Sequence, residues 1–451
     1  MPEPPAGYAG EAVVGALLET LERQCSAYCL LGACGDLPAQ VHSDIDFMVG
    51  REDFERLAMI LQALAEETGF RLVQEFRHET TARYFALAKS RPGQVMYLHP
   101  DAATDYRRNG RTWLRAEDVL ARRRRHANGF WTAGPVENFL YSLIKSIDKG
   151  RLGEAQAREL GRLFVEDPQG CAQALERRFT AEASRQIAAA CRSGEWQPVF
   201  AAVAALDKEL LARAPTDPPG TRMAEFARRA RRWLWPSGLW VAVLGPDGSG
   251  KSSLIERYRP ALAPAFRKTA CFHLRPRLFR GIEAAEAAKT DPHGQPPRGV
   301  AASIVKLLFL WADYALGYWV RIRPLLVRST LVIFDRYYSD LLADPLRFRY
   351  QGPRWMARVV GALIPKPDLT FVLDAPPEVL QARKQEVTAE ESARQANAYR
   401  ELAGSASARK RTVVIDAERA REEVIHDCAE QTLAWMARRT ARRLRIEAEE
   451  R

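Results

Sequence analysis

Apolar runs of strand length alternate with longer amphipathic stretches through the second half of the chain. Residues 239–244, 269–274, 330–334, 369–373 and 412–415 are such runs, rich in Val, Ile, Leu and Phe. Helical periodicity fills the intervals between them. Short apolar strands separated by helices predict a parallel sheet covered on both faces. The first half has a different rhythm. It predicts a helix over 11–23, strands at 28–31 and 45–49, a helix over 53–68, and strand-like runs at 71–75, 83–88 and 95–99. From 116 to 213 the pattern reads as helical throughout, giving an α+β module with an all-helical tail. Pro215, Pro218, Pro219 and Gly220 break the last of these helices. A basic helix over about 223–233 follows, and Pro236-Ser237-Gly238 leads into the next strand. The expected organisation is a domain over 1–213, a linker with a basic helix over 214–237, and a domain over 238–451. Prolines at 292–297 and 365–367 mark loops.

At 451 residues with 47% hydrophobic content, the chain is long enough for two or three packed cores. The N-terminus has no basic segment leading into an apolar run, so no secretory signal is expected. The longest apolar stretch, 304–320, contains Lys306 and Asp313 and reads as a packed helix, not a membrane span. Seven cysteines without a CxxC pair read as reduced thiols in a cytoplasmic protein, not a zinc site or disulfide framework. Net charge is +11 and the pI about 9.4. The arginines are spread over helices, densest at Arg122 to Arg125, and no nucleic-acid-binding signature accompanies them. Solvated helix faces explain the charge first, polyanionic small substrates second, and nucleic acid third. A homodimer is compatible with these patterns.

The chemistry centres on Gly245-Pro246-Asp247-Gly248-Ser249-Gly250-Lys251-Ser252, followed by Ser253. It fits GxxxxGK[ST] and sits between a buried strand and a helix. Glycines allow a turn whose N–H groups face phosphate oxygens, and the helix adds its positive end. Lys251 would reach the β/γ-phosphates of ATP, and the Ser252 hydroxyl would complete a Mg²⁺ shell. Asp335-Arg336-Tyr337-Tyr338 closes the strand at 330–334. At the carboxyl end of a strand in an open α/β sheet, Asp335 can bind the Mg²⁺ shell or accept a proton, and Arg336 can hold a phosphate.

On these residues the C-terminal half resembles the thymidylate kinase family of P-loop nucleoside monophosphate kinases. The loop matches that family's GxDGxGK[ST], and Asp335-Arg336-Tyr337 its strand-ending DR motif. Further matches are Pro367-Asp368-Leu369-Thr370-Phe371-Val372-Leu373-Asp374, then Pro377-Glu378-Val379-Leu380 with Arg383, and Tyr399-Arg400-Glu401-Leu402. The resemblance implies that Asp247 contacts the acceptor's sugar and Arg336 the acceptor's phosphate. It also implies that Arg383, Lys384 or Arg394 closes over the transferring group. Residues 389–394 are polar and helix-forming, which suits a lid that excludes water.

The acceptor-facing segments depart from the family. They are His273-Leu274-Arg275-Pro276-Arg277, an insert with Asp291-Pro292-His293-Gly294-Gln295-Pro296-Pro297, and residues 344–350. Arg275, Arg277, Arg347 and Arg349 favour an anionic, phosphorylated acceptor, whether nucleoside monophosphate or sugar phosphate. A hydroxyl acceptor would need a base, and Asp335 is the best placed.

In the first half, Ser43-Asp44-Ile45-Asp46-Phe47-Met48-Val49 places two carboxylates at spacing two on one strand face. Such a pair can hold divalent metal around a triphosphate. Residues 28–101 resemble the nucleotidyltransferase superfamily, with its glycine turn at Leu31-Gly32-Ala33. The resemblance implies a third carboxylate from a later strand. Tyr97 stands at the expected position, with Asp101 just beyond. The whole chain thus reads as an ATP-dependent kinase fused to a nucleotidyltransferase-like module. A regulatory nucleotide switch with an N-terminal partner- or nucleic-acid-binding module stands as the alternative.

Overall fold

The computed structural model describes residues 10–41, 43–214, 216–217, 219–278, 299–383, 388–405 and 411–445. The insert at 291–297 and Lys384 lie outside the described residues. The chain divides into two compact units: Met1–Lys89 with Met96–Arg229 and Ala437–Arg451, and Ser90–Val95 with Ala230–Met436.

The first unit opens with α1 (Glu11–Gln24), β1 (Tyr28–Leu30), β2 (Ile45–Val49) and α2 (Arg51–Thr68). The strands β3 (Arg71–Glu79), β4 (Ala82–Arg91), β5 (Gln94–Leu98), β6 (Pro100–Ala103), β7 (Asp105–Arg108) and β8 (Arg111–Arg115) follow. Then come α3 (Ala116–Ala121), β9 (Arg124–Arg125) and β10 (Trp131–Thr132). The main sheet runs β3-β4-β6-β2-β1-β10-β9, with β5 on β4, while β7 and β8 pair separately. The helical tail is α4 (Pro135–Asp148), α5 (Glu154–Glu166), α6 (Pro168–Glu176), α7 (Ala181–Ser193), α8 (Gln197–Arg213) and α9 (Pro219–Leu234).

Two features depart from the sequence reading. Residues 124–132 form a small hairpin, not helix, because Asn128-Gly129 supplies a turn with positive φ at Gly129 and His126 N–H donates to Phe130 C=O. And β6 is a separate strand parallel to β2, so a carboxylate just past β5 returns to the centre of the sheet.

In the second unit, β11 (Leu239–Leu244), α10 (Lys251–Leu262), β12 (Lys268–His273), α11 (Val300–Gly317), α12 (Arg323–Val327) and β13 (Thr330–Asp335) come first. They are followed by α13 (Ser339–Ala343), α14 (Arg354–Leu363), β14 (Leu369–Asp374), α15 (Pro377–Arg383), α16 (Ala389–Gly404), β15 (Thr412–Asp416) and α17 (Arg421–Leu444). The sheet order is β12-β13-β11-β14-β15 and every pairing is parallel. All six residues of β11 are buried, as a central strand covered on both faces requires. The order reverses direction at β11, so its carboxyl end is a topological switch point where ligands bind.

One π turn, Tyr318–Ile322, joins α11 to α12. Packing of α11 is one-sided. Leu307, Leu310 and Tyr314 are buried, whereas Val305, Leu308 and Leu316 are exposed. The packed helix read from the sequence is therefore packed on one face, because its apolar residues encircle the helix and only one side meets the core.

Candidate active site

The loop after β11 approaches its neighbours too closely for any side chain. A Cβ on Gly245 would lie 2.7 Å from the Leu373 carbonyl oxygen, and one on Gly248 2.8 Å from that of Leu380. Both glycines and Gly250 have positive φ, at 145°, 83° and 90°. The result is a concave main-chain cradle ending at the N-terminus of α10.

Lys251 is the first residue of α10 and is buried. Its Nζ donates to the carbonyls of Gly245 (2.8 Å) and Pro246 (2.7 Å). Burial, reinforced by the charge of Arg336, brings its pKa down to about 8, against the pull of Asp247. Ser249, Ser252 and Ser253 line the same cleft, whose volume is about 630 Å³. The Ser249 hydroxyl is buried without a hydrogen-bond partner.

Asp247 is held between two guanidinium groups. Arg336 donates to its Oδ1, and Arg347 Nη1 donates to its Oδ2 at 2.7 Å. Arg336 also donates to Asp340 Oδ2 at 2.8 Å. Burial opposes ionisation of Asp247, but Arg336, Lys251 and Arg347 together hold its carboxyl well below the usual range. Arg336 has φ +70°, the cost of turning its side chain back over the loop from the end of β13. Asp335, its neighbour, lies 3.5 Å from His273 Nδ1, and the parallel register pairs the two residues. Burial acts to raise the Asp335 pKa, yet the His273 hydrogen bond and the nearby charges lower it. Its Oδ1 is buried and unpartnered. Such an oxygen could serve a hard cation, and Ser252 lines the same cleft.

Gly245 to Gly250 form the cradle. Asp247, Ser249, Lys251, Ser252, Ser253, Asp335, Arg336 and Arg383 converge on the cleft. Arg383 is anchored there by Nη1 to the Ala417 carbonyl at 2.8 Å. Arg394 is elsewhere. It is bound by Glu391 through Nε at 2.7 Å and lines a different cleft with Tyr338 and Tyr399. Of the arginines read as acceptor-facing, Arg347 lines the cleft, while Arg275 is engaged with the fully buried Asp313 at 3.6 Å. Arg419 and Arg421 also line it and were missed. Their signal was position, since they follow the carboxyl end of β15.

In the first unit, Gly32 (φ +77°) donates its N–H to Asn138 Oδ1 at 2.6 Å, which ties the turn after β1 to α4. Asp44 accepts from Tyr84 Oη at 3.1 Å and lies 3.5 Å from His99 Nδ1. Asp46 accepts from Lys145 Nζ at 2.5 Å, and Lys145 also donates to Tyr141 at 2.8 Å. Asp101 stands on β6 in direct parallel register with Asp46. Burial, then the charges of Asp46 and Asp44, raise its carboxyl to about 8 despite Lys145. Tyr97 is buried away from solvent. Among the described residues, no three carboxylate, imidazole or thiol groups converge closely enough to hold a metal ion as they stand. Lys145 supplies the positive charge at Asp46 instead. Lys145 and Asn138 were not legible in the first-half motif, because both lie about a hundred residues later.

A parallel five-stranded sheet whose central strand ends in a lysine-bearing phosphate cradle, with a carboxylate and arginine closing the next strand, defines a P-loop phosphotransferase. Residues 243–428 match the family described as Thymidylate kinase. A protein named "Probable thymidylate kinase" from Pyrobaculum aerophilum is 33% identical over 201 residues, covering 42% of this chain and 94% of that protein. The chain belongs, through its C-terminal half, to the thymidylate kinase family. It is also 30% identical over 152 residues to a "Probable thymidylate kinase" of Methanoculleus marisnigri, spanning 31% of this chain and 64% of that one. To the "Thymidylate kinase" of Xanthomonas oryzae pv. oryzae it is 29% identical over 154 residues, spanning 33% of this chain and 62% of that one.

Proposed function

We propose that the second unit transfers the γ-phosphoryl group of ATP to a small phosphorylated acceptor, a nucleoside monophosphate (thymidylate included) or a sugar phosphate. The observation that carries this is the pairing of Asp247 with Arg336 and Arg347 at the mouth of the cradle. Two guanidinium groups opposite Lys251 give an anionic acceptor its counter-charge, and Asp247 can turn to a sugar hydroxyl as the phosphate displaces it. ATP would lie on the Gly245–Gly250 cradle, with Ser252 and the unpartnered Asp335 oxygen holding Mg²⁺. That ion would neutralise charge on the phosphates. Arg383, which lines the cleft, would close over the transferring group. An acceptor that is already ionised needs no base, so Asp335 is free for the metal.

A screen of nucleoside monophosphates and sugar phosphates for acceptor-dependent ADP release identifies the substrate. Lys251→Ala is expected to lower that transfer by about 10²–10³-fold. Full transfer by this variant overturns the site. A regulatory switch would instead show tight nucleotide binding, slow hydrolysis and no acceptor dependence.

For the first unit we propose a nucleotidyltransferase-like fold in which Asp44, Asp46 and Asp101 bind Mg²⁺ or Mn²⁺ once Lys145 leaves Asp46. The β2–β6 register supports it, since neighbouring residues of parallel strands present their side chains on one face. Titrating metal into wild type and into Asp44→Asn/Asp46→Asn tests the pair, and identical binding rules it out.

A further inference from the structure

We propose, resting on the metal role given to Asp335 under Proposed function, that His273 is a positioning residue of the phosphotransfer site. Its Nδ1 holds one oxygen of Asp335 and so sets the other for the cation that accompanies the nucleotide phosphates.

His273 is the last residue of β12 and Asp335 the last of β13, and the two are partners in the parallel register. Neighbours in register project their side chains on the same face of a sheet. The preceding pair shows this from the opposite face, where the rings of Phe272 and Phe334 stack with centres 5.1 Å apart. His273 and Asp335 both line the cleft that holds Lys251 and Ser252. There His273 Nδ1 lies 3.5 Å from Asp335 Oδ2. An ionised carboxylate only accepts, so Nδ1 carries the proton of this contact. The other oxygen, Oδ1, is buried without a hydrogen-bond partner.

A half-exposed ion pair by itself contributes little. What sets this one apart is the main chain around it. Leu274 N–H donates to the Asp335 carbonyl at 2.8 Å, and Arg275 N–H turns back onto the His273 carbonyl at 2.7 Å. Leu274 adopts φ +61° in this turn. A left-handed leucine is strained and persists only where its surroundings impose it. Here the Leu274 carbonyl is held by the hydroxyl of Tyr314, a buried residue of α11. On the other side of Asp335, Arg336 N–H donates to the Val243 carbonyl at 3.0 Å, just ahead of the phosphate loop. The imidazole therefore rides on a strained turn bonded to the residue that it faces.

With its main chain fixed on both sides, Asp335 keeps one soft freedom, rotation of the carboxylate plane. A donor on Oδ2 restricts that rotation. Such contacts are long before a ligand binds and tighten in the loaded complex. Groups that orient a metal-binding carboxylate are typically worth about 10–100-fold in metal affinity.

The test titrates Mn²⁺ into the full-length chain saturated with ADP and follows free Mn²⁺ by electron paramagnetic resonance. Asp44→Asn/Asp46→Asn is the common background, so that the first unit's carboxylates do not contribute. His273→Leu is expected to weaken Mn²⁺ binding by about tenfold. Affinity for ADP without metal is expected to stay within about twofold, because the cradle and Lys251 hold the phosphates. His273→Asn puts an amide nitrogen where Nδ1 stands and should restore most of the loss. His273→Gln reaches the Nε2 position instead and should not. Unchanged thermal midpoints show intact folds. Asp335→Asn is the reference. The proposal alone is overturned if Asp335→Asn weakens Mn²⁺ binding and His273→Leu does not, or if the glutamine variant rescues and the asparagine variant fails. If Asp335→Asn changes nothing, the metal role of Asp335 falls and the role of His273 falls with it.

Discussion

The two clefts pair carboxylates with cations in different proportions. Around the phosphate loop two carboxylates, Asp247 and Asp335, are outnumbered by Lys251, Arg336, Arg347 and Arg383. Around β2 the carboxylates Asp44 and Asp46 face Lys145 and Lys149, and Asp101, raised to about 8, keeps its proton, so the charges there nearly balance. Each holds an internal ion pair, Asp247 with Arg336 in one and Asp46 with Lys145 in the other. The positive surplus of the second unit's cleft suits an anion.

Breaking the arginine bridge should have the largest effect. Arg336→Ala strands the buried carboxylate of Asp340 and removes one of the two guanidinium partners of Asp247, and is expected to destabilise the second unit by about 3 kcal/mol. Denaturant unfolding measures this, and a loss under 1 kcal/mol, the range of a surface pair, would show that the bridge is not structural. Removing the counter-ion of the first cleft should act in the opposite sense. Lys145→Ala frees Asp46 and is expected to tighten Mn²⁺ binding by about tenfold. Weaker binding in calorimetry would mean that Lys145 assists the metal site instead of competing with it.

The smallest expected effect concerns pH. Glu79, at the end of β3, is lifted by burial to about 7, with Arg108 opposing and Glu225 adding to the rise. The folded chain holds this proton to higher pH than the unfolded chain does. Stability contributed here therefore falls as pH rises from the ordinary glutamate range to about 7, then levels. Glu79→Gln should remove that slope and add on the order of 1 kcal/mol above it, after discounting for partial exposure. An unaltered profile of thermal midpoint against pH would place the titrating group elsewhere.

The second unit was largely written in its sequence, since its central strands β11, β13 and β14 are short apolar runs that a covered parallel sheet buries. The phosphate loop and Asp335-Arg336 were legible for the same reason, being local in the chain. What escaped was non-local. Asp101 was read as lying past the end of a strand, because a four-residue strand opening on Pro100 has too few positions to show alternation. Arg347 joins Asp247 across a hundred residues, and no spacing rule announces that. The outward side of α11 escaped for a further reason. Apolar residues all round a helix do not say which of them the fold will cover.

The position of Lys251 has a consequence for how a triphosphate would be received. With its ammonium tethered to the carbonyls of Gly245 and Pro246, the lysine acts as an internal strut that keeps the loop open before any anion arrives. Nucleotide entry would then be an exchange of partners within a ready-made mould, the carbonyls yielding the cation to phosphate oxygens. Little of the binding free energy need go into reshaping the loop, and discrimination is left to the opposite wall, where the arginines stand.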